Sequence, residues 1–121
     1  MPKVPWHDFM AAHSTRYLVA AFTRRAMTRP LRQRLGMLAT LLGNLRLARA
    51  YALTIYRQNG EQSIHIAFED GTDAERFAKV VRAQPAACGP GWARQWIFRM
   101  DGATLDAIGA AIITGGEIDE R

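Results

Sequence analysis

Glu61, Ser63 and His65 alternate along one stretch of the chain, and a carboxylate, a hydroxyl and an imidazole are the parts of a nucleophile, base and orienter set. Their spacing argues against that chemistry. Residues i and i+2 on a strand sit about 6.5–7 Å apart and point in parallel, whereas a nucleophile and its base need about 2.6–3.2 Å between heavy atoms. The trio reads as the solvated face of a sheet. Metal chemistry has less support. His7 and His13 are six residues apart, about 240° around a helix, with no acid or cysteine at ligand spacing, and Cys88 is the only cysteine. Zinc needs three or four clustered ligands, so no metal and no cofactor is expected. Phosphate-cradling P-loops, dinucleotide-binding glycine fingerprints and nucleophile elbows do not occur. Gly89-Pro90-Gly91 lacks the donors and the following helix of a phosphate cradle. The acid pairs Asp70/Asp73 and Asp101/Asp106 fall where helix N-termini attract carboxylates.

The basic residues are more informative. The chain has 121 residues, 16 of them Lys or Arg and 11 Asp or Glu, for a net charge of +5. The charge is unevenly spread. Residues 1–60 carry ten bases against the single acid Asp8, and residues 61–121 carry ten acids against six bases. Arg24, Arg25, Arg29, Arg32 and Arg34 crowd one short stretch, and Arg46, Arg49 and Arg57 follow. Fourteen of the bases are arginine, whose planar fork suits phosphate and carboxylate, although a GC-rich coding sequence enriches arginine whatever the function. Clustered arginine is what a phosphate-reading surface needs.

The elements that must position these residues follow from periodicity. Trp6, Met10, His13 and Tyr17 recur at helical spacing, continued by Leu18, Ala21 and Phe22, which predicts a helix over 6–27, or two short ones if Ser14 caps internally. Pro30 opens a second helix over 29–49, where Leu31, Leu35, Leu38, Leu42 and Leu45 form a stripe two heptads long, too short for a coiled coil. Gly36, Thr40 and Gly43 line its back. The period then changes to two. Asn59-Gly60 between alternating runs is a strong hairpin signal. A two-residue turn sets paired residue numbers to sum to 119, placing Tyr51, Leu53 and Ile55 opposite Phe68, Ile66 and Ile64 on one apolar side. Thr72 with Glu75 reads as a capping box for a third helix that turns Phe77, Val80 and Val81 inward. A loop over 85–93, a strand over 94–100 and a last helix with Leu105, Ile108 and Ile112 inward complete the chain, before the acidic tail 117–121.

The predicted fold is therefore α+β, ordered ααββαβα. A three-stranded mixed sheet carries helices on at least one face, and the second and third strands are joined by a crossover that makes them parallel. Residues 1–121 form one domain, with a basic helical part over 1–50 and a ββαβα part over 51–116. Strand, Asp-Gly, helix occurs twice, which fits either a weak internal duplication or common punctuation. Trp96 and Phe98 can point either way. Alternation with Gln95 and Arg99 favours the core and carries more weight. The Asp-Gly phase shared with the preceding strand favours an outward pair that joins Tyr56 and His65 in a stacking platform of the kind single-strand binders use.

Function follows only in outline. Composition is that of an ordinary soluble domain, with 49% apolar and 22% charged residues. The most apolar window, 35–45, is about half a membrane span, no secretory leader is legible, and the lone cysteine fits a reducing compartment. A cytoplasmic, non-membrane protein is expected. The reading is a non-enzymatic module whose arginines contact nucleic acid or an acidic or nucleoprotein surface. The alternative is a protein-interaction or homo-oligomerising accessory protein, using the leucine stripe or the Gly36/Gly43 face. By appearance alone that suits small bacterial, plasmid or phage proteins, including inhibitors of host defence complexes. An enzyme would need a pocket around Tyr56, His65, Arg99 and the 85–92 loop.

Overall fold

The computed structural model describes residues 3–23, 28–58, 61–100 and 102–113. Among the described residues four helices, α1 (Trp6–Ala12), α2 (Thr28–Asn44), α3 (Gly71–Val80) and α4 (Gly102–Ile113), accompany five strands, β1 (Tyr17–Thr23), β2 (Tyr51–Gln58), β3 (Glu61–Phe68), β4 (Gln84–Ala86) and β5 (Arg94–Arg99). The fold is mixed α+β, as the sequence implies, but the sheet has five strands in the order β2-β3-β1-β5-β4.

The largest departure is β1. Tyr17-Leu18-Val19-Ala20-Ala21-Phe22-Thr23, expected to continue a helix, is the central strand, antiparallel to β3 and parallel to β5. Residues 18–21 of this central strand are buried on both faces and show no alternation, and its alanines and leucine blend into the helical spacing before it. The helix ends at Ala12, with the His13 amide donating to the Phe9 carbonyl. Because β1 lies between them, β3 and β5 are antiparallel, which corrects the expected parallel crossover. The second correction is β4, a three-residue edge strand that straddles the start of the expected loop. Pro85 has no amide to give a ladder, which is tolerated at an edge.

The hairpin holds its expected register along its whole length, from Tyr51↔Phe68 to Gln58↔Glu61. Asn59 and Gly60, like Arg24, Arg25, Asp101 and the 117–121 tail, lie outside the described residues. Helix α2 stops at Asn44 rather than at 49, since Arg46 turns the chain at φ 52°. The cap of α3 is Asp70, whose carboxylate accepts from the Asp73 amide at 3.0 Å, in place of the expected Thr72/Glu75 box. Asp73, 2% exposed, then accepts from the Ala48 and Arg49 amides at 3.2 and 2.9 Å, tying the α2–β2 connection to α3.

The main core lies on one sheet face. There Val19, Ala21, Ile64, Ile66 and Phe68 meet Leu38, Leu41, Leu42 and Leu45 of α2 and its end, Phe77 of α3, and Ile108 and Ala111 of α4. Three of the five stripe leucines, Leu38, Leu42 and Leu45, are thereby buried within the chain and Leu35 packs beside them, which leaves those three unavailable as a dimer surface. The opposite face has a small second core, where Phe9 of α1 packs on Ala52 and Ala67 with Trp6, Met10 and Trp92 around it.

Two stability predictions follow. Asp73→Ala removes the buried carboxylate that accepts from two part-buried amides and should lower the unfolding free energy by about 1.5–3 kcal/mol, read as a lower urea midpoint with an unchanged slope. A Cβ at Gly36 meets nothing within 4 Å. Gly36→Ala should therefore stabilise α2 by roughly 0.5–1 kcal/mol through helix propensity. A lowered melting temperature instead would mean that another chain covers this face.

Candidate nucleic-acid interface

Alternation places Leu18, Ala20 and Phe22 of β1, Ala52, Thr54 and Tyr56 of β2, Ser63, His65 and Ala67 of β3, and Gln95, Ile97 and Arg99 of β5 on the face opposite the main core. Helix α1 covers only one end of that face, over Ala52 and Ala67. The guanidinium of Arg16 fastens the same end. Its Nε and Nη2 donate to the Gly91 carbonyl at 3.2 and 3.1 Å, and it lies 5.2 Å from the Trp92 ring centre. Gly91 has φ +88°, which suits glycine, and a Cβ there would stand 2.7 Å from Arg16 Nη2.

The other end of the face is uncovered. Phe22 is 46% exposed, Tyr56 47% and Ile97 37%, around a floor formed by buried Ala20. Tyr56 stacks tilted on His65 with ring centres 4.5 Å apart, and meets Trp6 edge-on at 6.2 Å. Trp92, Trp6, Tyr56 and His65 thus run as one aromatic row across the strands. Of the four residues considered for stacking, Tyr56 and His65 lie on this face. Trp96 and Phe98 do not: both are buried in the main core, and Ile97 and Arg99 face outward in their place.

Ser63 and His65 come closer than strand spacing suggests. Their side chains lean together until Oγ and Nε2 are 3.1 Å apart, within the range needed for proton transfer. Burial lowers the His65 pKa below its usual 6.5, so the imidazole is neutral at pH 7. No described group is hydrogen-bonded to the other ring nitrogen, and the pair stands without an orienting acid among the described residues. It is a polar pair on the aromatic face.

The arginines divide by position. The C-terminal ends of β1, β2 and β5 and the start of β3 share the uncovered end of the sheet. Arg57 and Arg99 stand there, exposed, and Arg82 follows α3 back to the same end. Arg24 and Arg25 follow Thr23 directly in the chain, and Arg29, Arg32 and Arg34 occupy the first two turns of α2 leaving that end. Arg46 and Arg49 belong to the α2–β2 connection at the opposite end, so the structure splits the basic set predicted from sequence. Elsewhere arginines are already engaged: Arg76 donates to the Leu45 carbonyl at 2.7 Å and Arg94 pairs with Glu75 at 3.0 Å. Arg57, Arg82 and Arg99 have no side-chain partner among the described residues. Phe22, Ile97 and Arg82 are absent from the sequence-derived site. Phe22 and Ile97 become visible only once β1 is recognised as a strand and the phase of β5 is fixed, and no sequence signal marks Arg82.

Among the described residues no three His, Cys, Asp or Glu side chains group as metal ligands, and no helix is long and apolar enough to cross a membrane. Comparison with family models, curated proteins and solved structures gave no match. The functional reading therefore rests on this geometry alone.

The His65 environment has a measurable consequence. Its lowered pKa makes the unfolded chain bind the proton more tightly than the folded one, so its contribution to stability is complete above pH 6.5. That contribution declines as pH falls through 6.5 toward the lowered value. His65→Gln should flatten this limb of the stability–pH curve between about pH 7 and 5. The C2 proton resonance of His65 should titrate below that of an exposed histidine.

Proposed function

We propose that this protein binds single-stranded nucleic acid on the uncovered half of its sheet. Bases stack on Phe22, Tyr56 and His65, and phosphates meet the arginines at that end. The observation that carries the reading is the coincidence of Phe22, Tyr56 and Ile97, all more than a third exposed, with Arg57 and Arg99, free of described partners, at one end of one sheet. A soluble domain gains nothing for its own stability by exposing three large apolar side chains together, and such patches mark interaction sites. Aromatics on an open sheet are sequence-tolerant base platforms. Charge complementarity favours nucleic acid over an acidic protein: an arginine-bearing rim around aromatic faces matches a polymer that alternates phosphate with planar rings. Arg24, Arg25, Arg29, Arg32 and Arg34 follow β1 closely in the chain and add to the basic character of that stretch of sequence. Arg46 and Arg49, at the far end, are outside the footprint.

Fluorescence anisotropy with labelled oligo-dT, oligo-U and a hairpin duplex at two salt concentrations tests this. Single strands should bind more tightly than the duplex, and affinity should fall steeply with salt. Tyr56→Ala and Phe22→Ser should each weaken binding by about 5- to 100-fold. Arg99→Glu should weaken it and reduce the salt slope, while Arg49→Glu should change little. Absence of binding at low salt would overturn the assignment and leave this face to a protein partner.

A further inference from the structure

At the uncovered end the sheet face runs into a cleft of about 590 Å³ between β1, β5 and the first turn of α4. Phe22, Ile97 and Phe98 form its apolar wall, and Arg82 and Arg99 stand on its rim. Gln84 and Thr104 supply the remaining polar lining, and no acid is among the described lining residues. We propose that this cleft is a binding pocket for a nucleoside monophosphate unit, with its base against Phe22 and Ile97 and its phosphate held by Arg82 and Arg99. The inference rests on the nucleic-acid reading and deepens it: the strand lying on the sheet would end in this pocket.

Three observations carry it. The volume falls within the usual range for small-ligand sites, about 300–1,000 Å³, and the combination of an apolar wall with few polar groups is typical of them. The two guanidinium groups have no described hydrogen-bond or ion-pair partner, whereas Arg16, Arg76 and Arg94 are all engaged. Two guanidinium forks on one rim suit the oxygens of a phosphate. The third observation is the backbone at Arg82. It occupies the position just past the α3 cap at φ 59°, with its amide donating to Lys79 O at 3.3 Å and the Ala83 amide to Ala78 O at 2.8 Å. That closing motif ordinarily takes glycine, because a side chain in the left-handed region costs about 1 kcal/mol. Arg46 occupies the same kind of position past α2, so what sets Arg82 apart is that its side chain lines the cleft beside Arg99.

The same geometry provides a clean test. Arg82→Gly removes the side chain and relaxes the backbone, so a loss of binding cannot be a loss of folding. Arg46, at φ 52° beyond α2 and far from the cleft, gives the matched control Arg46→Gly. Binding of dT10 carrying a 5′-phosphate, a 3′-phosphate or neither, and of free thymidine monophosphate and inorganic phosphate, would be measured by calorimetry for wild type and both variants. One terminal phosphate should tighten dT10 binding by about ten- to hundredfold. Arg82→Gly should abolish that gain, and Arg46→Gly should retain it. Free thymidine monophosphate bound through Arg82, without a gain from either terminal phosphate, would support the pocket and identify its ligand as a free nucleotide. If inorganic phosphate binds as tightly as the nucleotide, or if neither probe responds to Arg82→Gly, the pocket assignment is overturned. Unphosphorylated dT10 that still binds in that case leaves the sheet-face reading standing. If dT10 fails in every form, both readings fall.

Discussion

The insertion of β1 between β3 and β5 is the constraint on which the rest of the molecule depends. Its seven residues pair antiparallel on one side and in parallel on the other, so both edges of its backbone are satisfied. Its side chains are buried on both faces: Val19 and Ala21 at 0%, Leu18 at 3% and Ala20 at 1%. Without it the remaining strands are two separate hairpins, β2-β3 and β4-β5, and isolated two-stranded hairpins are marginal in water. Each hairpin is followed by a helix, α3 or α4, and those helices share one core with α2. The fold is in effect two hairpin-and-helix units joined through one strand. The units run antiparallel to one another, as β3 and β5 do on either side of β1. This arrangement accommodates the repeated strand, Asp-Gly, helix pattern visible in the sequence, because both units place their helices over the same face.

What the sequence revealed and what it hid divide along physical lines. The β2-β3 hairpin was legible because two independent signals agreed, the turn residues and the alternation of Tyr51, Leu53 and Ile55 with polar neighbours. Helix α3 and strand β5 were legible for the same reason: one face is buried and the other wet, so the period survives in the residue types. β1 was not legible because Leu18, Val19, Ala20 and Ala21 are buried on both faces, which erases alternation over most of its length. The helical spacing of Trp6, Met10 and Tyr17 then supplied a false continuation across residues that belong to different elements. Strand β4 was hidden by its length of three residues and by Pro85, which reads as loop wherever it occurs.

The site was legible in kind rather than in detail. Tyr56 and His65 were identifiable because the hairpin register fixes their side, and the clustering of arginine was plain. Which arginines share one end of the sheet was not, because Arg46 and Arg49 are near Arg34 in sequence yet at the opposite end, while Arg82 and Arg99 lie far away in sequence and return to the end where Arg57 stands. The Ser63–His65 contact shows the limit of spacing arguments. Backbone positions on a strand are fixed, but side chains lean along it, and a 3.1 Å contact results. The lean also explains why His65 is partly desolvated, since Tyr56 covers its ring on the other flank.

The two ends of the α1 face show opposite uses of the same residue types. At one end Trp6, Trp92 and Arg16 are spent on the protein itself. The tryptophans pack over α1's small core, and the guanidinium is held by the Gly91 carbonyl and the Trp92 ring. At the other end Tyr56 and Phe22 are open, and Arg57, Arg82 and Arg99 are without described partners. An aromatic ring beside an arginine is thus satisfied internally where α1 lies and left unsatisfied where α1 stops. The difference follows from the length of α1, seven residues and about 10 Å, against strands of seven and eight residues, which extend more than twice as far. Covering the exposed area of Phe22, Ile97 and Tyr56 would stabilise the domain by roughly its transfer energy. The C-terminal end of α1 lies at the covered end of the sheet, where His13 faces Glu69 at 4.0 Å, and α1 meets the uncovered end only through the Trp6 edge on Tyr56, so that stabilisation is forgone.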